Sequence, residues 1–175
     1  MDIIDLSDEY LQVIGNSPLG FDGSVTIEEA GPTPEPIPVP DTSLAGAMWY
    51  LPHDQIVDNG TSFLVEVHLN SGIQYFAAYG VDILYDSSII SYNSYSIGAQ
   101  GFVSALNVRT PDVVKISGFD AIGKGPGLDL HVLTIHWTAV AVGETVLGME
   151  IDQLSDQYLN NIGKPTPNDG RVIVQ

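Results

Sequence analysis

The feature that most limits what this chain can fold into is an alternation of apolar and polar residues with a period of two. Phe63, Val65, Val67 and Leu69 alternate with Leu64, Glu66, His68 and Asn70, as a strand with one face in a core requires. Ala77, Tyr79, Val81, Ile83 and Tyr85 give a second inward set, and Leu133, Ile135, Trp137 and Ala139 a third. Leu147, Met149 and Ile151 give a fourth, and Val172 and Val174 close the chain. Glycines punctuate these runs from Gly60 to Gly143. Short strands bounded by turn residues predict an all-β sandwich or jelly roll. No helix is expected beyond a single turn over Leu154–Leu159.

The 175 residues amount to about one domain, long enough to bury a core without metal or disulfide staples. Asp and Glu number 22 against 5 Lys and Arg, a formal charge of -17. That charge repels phosphate backbones and anionic lipid, so nucleic-acid binding and attachment to membranes by a basic patch are excluded. It also suits a protein working outside the cell. Cysteine is absent, which removes disulfides, thiolate catalysis and Cys-zinc sites. No apolar run reaches the roughly 18 residues of a membrane span, and the acidic start Asp2-Ile3-Ile4-Asp5 is not a signal peptide.

Two features divide the chain. Gly31-Pro32-Thr33-Pro34-Glu35-Pro36-Ile37-Pro38-Val39-Pro40 places proline at every second position, which bars helix and central strand. At about 3.1 Å per residue it reads as an extended spacer of about 30 Å; a surface loop within one domain is the plainer alternative. The second feature is an internal repeat. Leu6-Ser7-Asp8-Glu9-Tyr10-Leu11-Gln12-Val13-Ile14-Gly15 matches residues 154–163 at seven of ten positions. After a one-residue gap, Asp22-Gly23-Ser24-Val25-Thr26-Ile27 parallels Asp169-Gly170-Arg171-Val172-Ile173-Val174. Residues 1–30 therefore read as the terminal strand region of a preceding copy, 31–43 as a Pro-rich linker, and 44–175 as a complete domain. An orphan strand of this kind is expected to pair with a sheet edge of a neighbouring domain or chain.

Within 44–175 four strings resemble cohesin-type domains. They are Gly60-Thr61-Ser62-Phe63-Leu64-Val65-Glu66-Val67, Val81-Asp82-Ile83-Leu84-Tyr85-Asp86-Ser87-Ser88-Ile89-Ile90, the run from Leu133 to Thr145, and Asp169–Val174. The resemblance runs through the domain in order. It implies a nine-stranded jelly-roll β-sandwich of the cohesin and carbohydrate-binding-module type. It further implies a non-catalytic module that binds a dockerin, in a scaffold or surface protein of polysaccharide-degrading systems. In dockerin-binding members the outward positions of the strand before Tyr-Asp carry polar contacts, often Asn and Asp. Here those positions are Ala78 and Gly80, a departure that bears on dockerin recognition and not on the fold. Ser87 stands where the family has proline, which changes only turn stiffness.

The partner-binding face expected from this reading holds Phe76, Ala78, Gly80, Asp82 and Leu84 on one strand. Family topology adds Asn107, Arg109, Lys115 and Glu150 from adjacent strands, with Ser117 and Gly148. A strand face this smooth is less polar than one left to water. Cover by a loop or by a neighbouring repeat is the plain alternative, and for Arg109 and Lys115 it is a solvated face. No catalytic residues are assigned, because no Gly-x-Ser-x-Gly elbow, Walker loop or His-Glu-x-x-His occurs. No cofactor is expected. Calcium is left open at Asp54, Asp58 and Asn59, which form no Asp-x-Asp-x-Asp-Gly loop. Asn59-Gly60-Thr61 fits a glycosylation sequon. His131 and His136 are five apart, so a regular strand puts them on opposite faces, against a shared metal. Two rival readings stand beside the binding module. One is a structural tandem repeat of an adhesin, stalk or filament. The other is a carbohydrate-binding module, which needs a coplanar aromatic strip; Trp49 or Tyr50, Tyr92 and Tyr95 are its candidates, while Trp137 reads as core.

Overall fold

The structure is a computed structural model and describes residues 37–175. The terminal strand region expected over 1–30, and the linker as far as residue 36, lie outside the described residues. The described residues form β1 (Ala47–Leu51), β2 (Asp54–Val57), β3 (Ser62–Leu69), β4 (Phe76–Leu84), β5 (Ile90–Ile97) and β6 (Ala105–Thr110). They continue with β7 (Val113–Lys124), β8 (Leu130–Ala139), β9 (Gly143–Asp156), β10 (Thr166–Pro167) and β11 (Gly170–Val174). One sheet has the order β10-β1-β3-β8-β5 and the other β2-β11-β9-β4-β7-β6. The described domain is thus the all-β sandwich that the alternation predicts. It has eleven strands rather than nine because the short β2 and β10 each pair in parallel at a sheet edge, with β11 and β1 respectively.

The core lies between the two sheets. Val65, Val67 and Leu69 of β3, Tyr79, Val81 and Ile83 of β4, and Ile135 and Trp137 of β8 are all at most 3% exposed. Trp137 meets Tyr85 and Tyr92 edge-on at centroid distances of 4.8 Å and 6.0 Å, a favoured geometry for aromatic pairs. The inward sets named from the sequence point inward, with Ile151 half-buried against the cluster, except that Ala77 is buried at a register slip of β4 outside the core cluster.

Strict alternation fails where a strand carries an extra residue. Between Phe76 and Ala78 the register of β4 slips against both β7 and β9. Such a bulge re-aims the side chains beyond it. Phe76 is turned inward, fully buried, with its ring 5.2 Å from Tyr79 and 4.7 Å from Phe102. It is core and not the outward partner contact expected from its parity with Ala78. A second slip, between Val67 and His68 opposite β8, leaves Val132 without a register partner in β3. His131 and His136 therefore share the outer face of their sheet, contrary to the spacing argument. Of Trp49 and Tyr50, Tyr50 belongs to the core and Trp49 faces out, where the His68 ring covers it and leaves it 7% exposed. The single helical turn expected over Leu154–Leu159 is instead the end of β9 followed by a turn. The Asp156 carboxylate caps that turn by accepting from the Tyr158 and Asn160 amides at 2.8 Å and 2.9 Å.

β11 closes the domain. It lies parallel to β2 and antiparallel to β9 and drives Val172 and Val174 into the core. On its other side Arg171, 6% exposed, donates to Asp54 through Nε at 3.0 Å and Nη2 at 2.7 Å. Asp54 is thereby a guanidinium partner at the start of β2, on the strand rather than in the turn that holds Asp58 and Asn59. The hydrogen bonds from Arg171 hold its carboxyl below the usual carboxylate range. The end of the Pro-rich stretch also belongs to this unit. The Asp41 amide donates to Asn168 Oδ1 at 3.1 Å, and Ile37, Pro38 and Val39 line a shallow pocket with Val146 and Asp169.

Two outcomes check this account. Phe76→Ala is expected to cost about 3–5 kcal/mol in denaturant unfolding, the range for deleting a buried phenyl ring; an exposed Phe76 would cost almost nothing. Asp54→Asn is expected to lower stability at neutral pH. The Asp54 carboxyl is depressed in the folded state, so its contribution is complete above its ordinary value of 3.8 and fades as pH falls through the lower, folded value. The stability difference between wild type and Asp54→Asn should shrink below about pH 4.

Candidate functional site

The outward face of β6, β7, β4 and β9 gathers most of the residues that the sequence nominates. Register places Asn107 opposite Lys115, Lys115 opposite Asp82, and Asp82 opposite Glu150. These four residues form one row across the sheet. At its centre Lys115 Nζ lies 3.0 Å from Asp82 Oδ1 and also pairs with Asp152. The hydrogen bond to Asp152, then that to Asp82, raises the Lys115 ammonium above its ordinary value. Asp152 reaches this lysine because β9 carries its own register slip opposite Gly80 and Val81. Sequence parity puts Asp152 on the outward face with Glu150, and the slip sets it beside Lys115.

On one side of the charged row lies Leu84, opposite Gly148 and Val113. A Cβ on Gly148 would come within 3.3 Å of Leu84 Cβ, so the leucine lies down over the glycine. On the other side are Gly80, opposite Ser117 and Gln153, and Ala78, opposite Phe119 and Ser155. Ala78 is 8% exposed and Gly80 is buried, so together they make a low floor. Phe119 stands beside that floor at 62% exposure, and Ile122 follows it on the same strand at 81%. Phe119 is the apolar contact of this face that sequence reasoning missed. The signal was available: Val114, Ile116 and Gly118 alternate inward along β7, which aims residue 119 out. Arg109 is not in the row. It sits at a register slip in the edge strand β6, between Val108 and Thr110, and is exposed.

The outer face of the other sheet is covered differently. The rings of Trp49, His68 and His131 stack in a column across β1, β3 and β8, with centroids 5.7 Å and 5.2 Å apart. His68 Nε2 lies 2.9 Å from Glu66 and Nδ1 2.5 Å from Asp129. His131 Nε2 is bonded to Thr134 at 2.9 Å. Among the described residues no group of three or more His, Asp or Glu side chains is placed to hold a metal ion. Among the described residues the exposed aromatic side chains Tyr75, Tyr95, Phe119 and Tyr158 lie on separate strands and loops. Tyr92 is half-buried against Trp137.

No protein-family model matches the sequence, and no curated protein matches it. Solved structures do. A cohesin module from a Clostridium perfringens family 33 glycoside hydrolase has a TM-score of 0.61 and 14% identity over 75% of this chain and 98% of its own. The sixth cohesin of Acetivibrio cellulolyticus scaffoldin B, solved in complex with a dockerin, has a TM-score of 0.60 and 14% identity over 76% of this chain and 100% of its own. A non-cellulosomal cohesin from the archaeon Archaeoglobus fulgidus has a TM-score of 0.57 and 13% identity over 75% and 88%. At this level of identity the likeness establishes architecture, and with the two-sheet topology above it identifies the described domain as a β-sandwich of cohesin type.

Proposed function

We propose that the domain is a non-catalytic protein-binding module that takes a dockerin-like partner on the outward face of β6, β7, β4 and β9. The observation that carries this reading is the layout of that face. An exposed Phe119 stands beside a low floor of Ala78 and Gly80, and a row of polar and charged side chains from Asn107 to Glu150 runs along its other side. Protein interfaces are built in this way, with an aromatic anchor in a centre that excludes water and a polar rim that fixes orientation. The Acetivibrio cohesin, of the same architecture, was solved with a dockerin bound. Ala78 and Gly80 remove the polar contacts that the family resemblance implies at those positions. The partner must therefore fill the floor with an apolar or small side chain and take its polar contacts from the Asp82 row.

The same reading places the module outside the cell or at its surface, in a multi-domain scaffold. The charge of -17 and the internal repeat support it. No helix among the described residues is long and apolar enough to cross a membrane. The internal repeat also favours the second reading, a structural repeat of a stalk or adhesin without a dedicated ligand. A carbohydrate-binding face is less well supported, because the exposed aromatic side chains are spread over separate elements.

The test is capture from a native secretome on the immobilised full chain, with calcium and then with chelator. The family resemblance implies a partner folded on calcium loops, so capture should be lost with the metal. Phe119→Ser and Glu150→Lys are exposed changes and should leave stability within about 0.5 kcal/mol. Each should weaken capture by tenfold or more, which corresponds to about 1.4 kcal/mol. Capture that both variants leave intact rules out this face. No capture with or without calcium favours the structural repeat.

A further inference from the structure

The core of the sandwich is open on the side where β5 and β6 lie. Cross-strand register sets Tyr95 and Ile97 of β5 on the inward side with Ile135 and Leu133, yet they are 37% and 55% exposed. On the facing sheet Val108 of β6 pairs with the fully buried Val114 and is itself 49% exposed. Each of these two strands ends its sheet, so the apolar layer runs out to solvent between them.

This open side is also where the chain carries no charge. No Asp, Glu, Lys, Arg or His occurs between Asp86 and Arg109, in a chain with a formal charge of -17. Edge strands are ordinarily guarded by shortness, charge or irregularity, because their unpaired amides and carbonyls invite another strand. β10 has two residues, β2 has four and begins with Asp54, and β6 carries Arg109 at a register slip. β5 has eight residues with neither charge nor proline, and its one irregularity, at Asn93, leaves residues 94–97 regular. The Gly98 amide donates to the Val132 carbonyl at 2.9 Å. By the alternation of an antiparallel ladder, the backbone groups of Ser96 also face β8, and those of Tyr95 and Ile97 face the open edge.

We propose that β5 is a self-association edge: a second copy of this chain lays its own β5 antiparallel against it, about a two-fold axis through Ser96. That register opposes Tyr95 of each copy to Ile97 of the other, as hydrogen-bonded pairs in which the edge amides and carbonyls satisfy one another. The same contact brings the exposed Tyr95 and Ile97 side chains together and covers the open side of each core. The occupant follows from charge. Two copies of so acidic a chain repel wherever carboxylates are opposed, and the strand that presents none is the one whose backbone is unpaired. A two-fold pair is self-complementary and closed, so one contact uses up this edge on both copies. β5 belongs to the sheet opposite the proposed partner face, and the inference does not rest on that reading.

Sedimentation of the full chain tests it. A monomer–dimer equilibrium is expected that tightens as salt is raised, because screening weakens the repulsion between the two acidic copies. Ile97→Glu puts an unpaired carboxylate into each apolar contact and should weaken the dimer by about tenfold or more. The position is exposed, so the unfolding transition should stay in place. Phe119→Ser, on the other sheet, should leave the dimer unchanged. The chain has no cysteine, so Ser96→Cys supplies a single thiol on the axis, in a non-hydrogen-bonded pair where facing side chains come closest. It should oxidise to a disulfide-linked dimer several-fold faster than Ser62→Cys, at an exposed position of β3. A chain that stays monomeric at every salt concentration overturns the proposal. So does a dimer that salt or Phe119→Ser dissociates, a dimer that Ile97→Glu leaves intact, or equal cross-linking of the two cysteine variants.

Discussion

The layer of side chains between the two sheets is the constraint on which the remaining features depend. Trp137 lies at its middle with Tyr85 and Tyr92 edge-on against it, and Phe76, Tyr79 and Phe102 form a second aromatic group in the same layer. Successive residues of a strand point to opposite sides, so burying this layer also decides which side chains are left outside. The outward row Asn107, Lys115, Asp82 and Glu150 is the complement of the inward Leu106, Val114 and Ile116, Val81 and Ile83, and Met149 and Ile151. The outward polar row follows from the same pleat that makes the core.

The three register slips in β4, β8 and β9 change the composition of those faces. The slip after Phe76 moves a phenyl ring from the outward face to the core, where it packs between Tyr79 and Phe102. That leaves Ala78 and Gly80 as a floor without a bulky residue beside them on β4. The slip opposite Gly80 brings Asp152 up to Lys115, so the lysine is shared between Asp82 and Asp152. The slip at Val132 brings His131 round to His68 and completes the ring column with Trp49. Bulges are known devices for re-aiming side chains near sites. In this domain they shape both outer faces.

The last strand has a different part. β11 is held on both edges, by β2 and by β9, so its removal would expose two ladders and the core positions of Val172 and Val174. Its guanidinium, Arg171, ties β2 to the sheet through Asp54, with Glu144 3.8 Å away on β9. A four-residue parallel edge strand has few ladder bonds of its own, and this ion pair fixes its place.

The sequence by itself determined the class of fold and most of the core. Alternation over Phe63–Leu69, Tyr79–Tyr85 and Leu133–Ala139 specified strands and their inward sides, because a period of two cannot bury one face in any other regular structure. It placed Asp82, Lys115, Asn107 and Glu150 outward, and it carried the internal repeat. It could not show that Phe76 is core, that His131 and His136 share a face, or that Asp152 meets Lys115. Each depends on one extra residue in a strand, and a bulge is set by the register of neighbours distant in sequence, not by local composition. The pairing of Arg171 with Asp54 is likewise a tertiary fact, since the two are 117 residues apart. Only the assembled sheet decided which of the outward residues stand in one row, because that is a matter of which strands lie side by side.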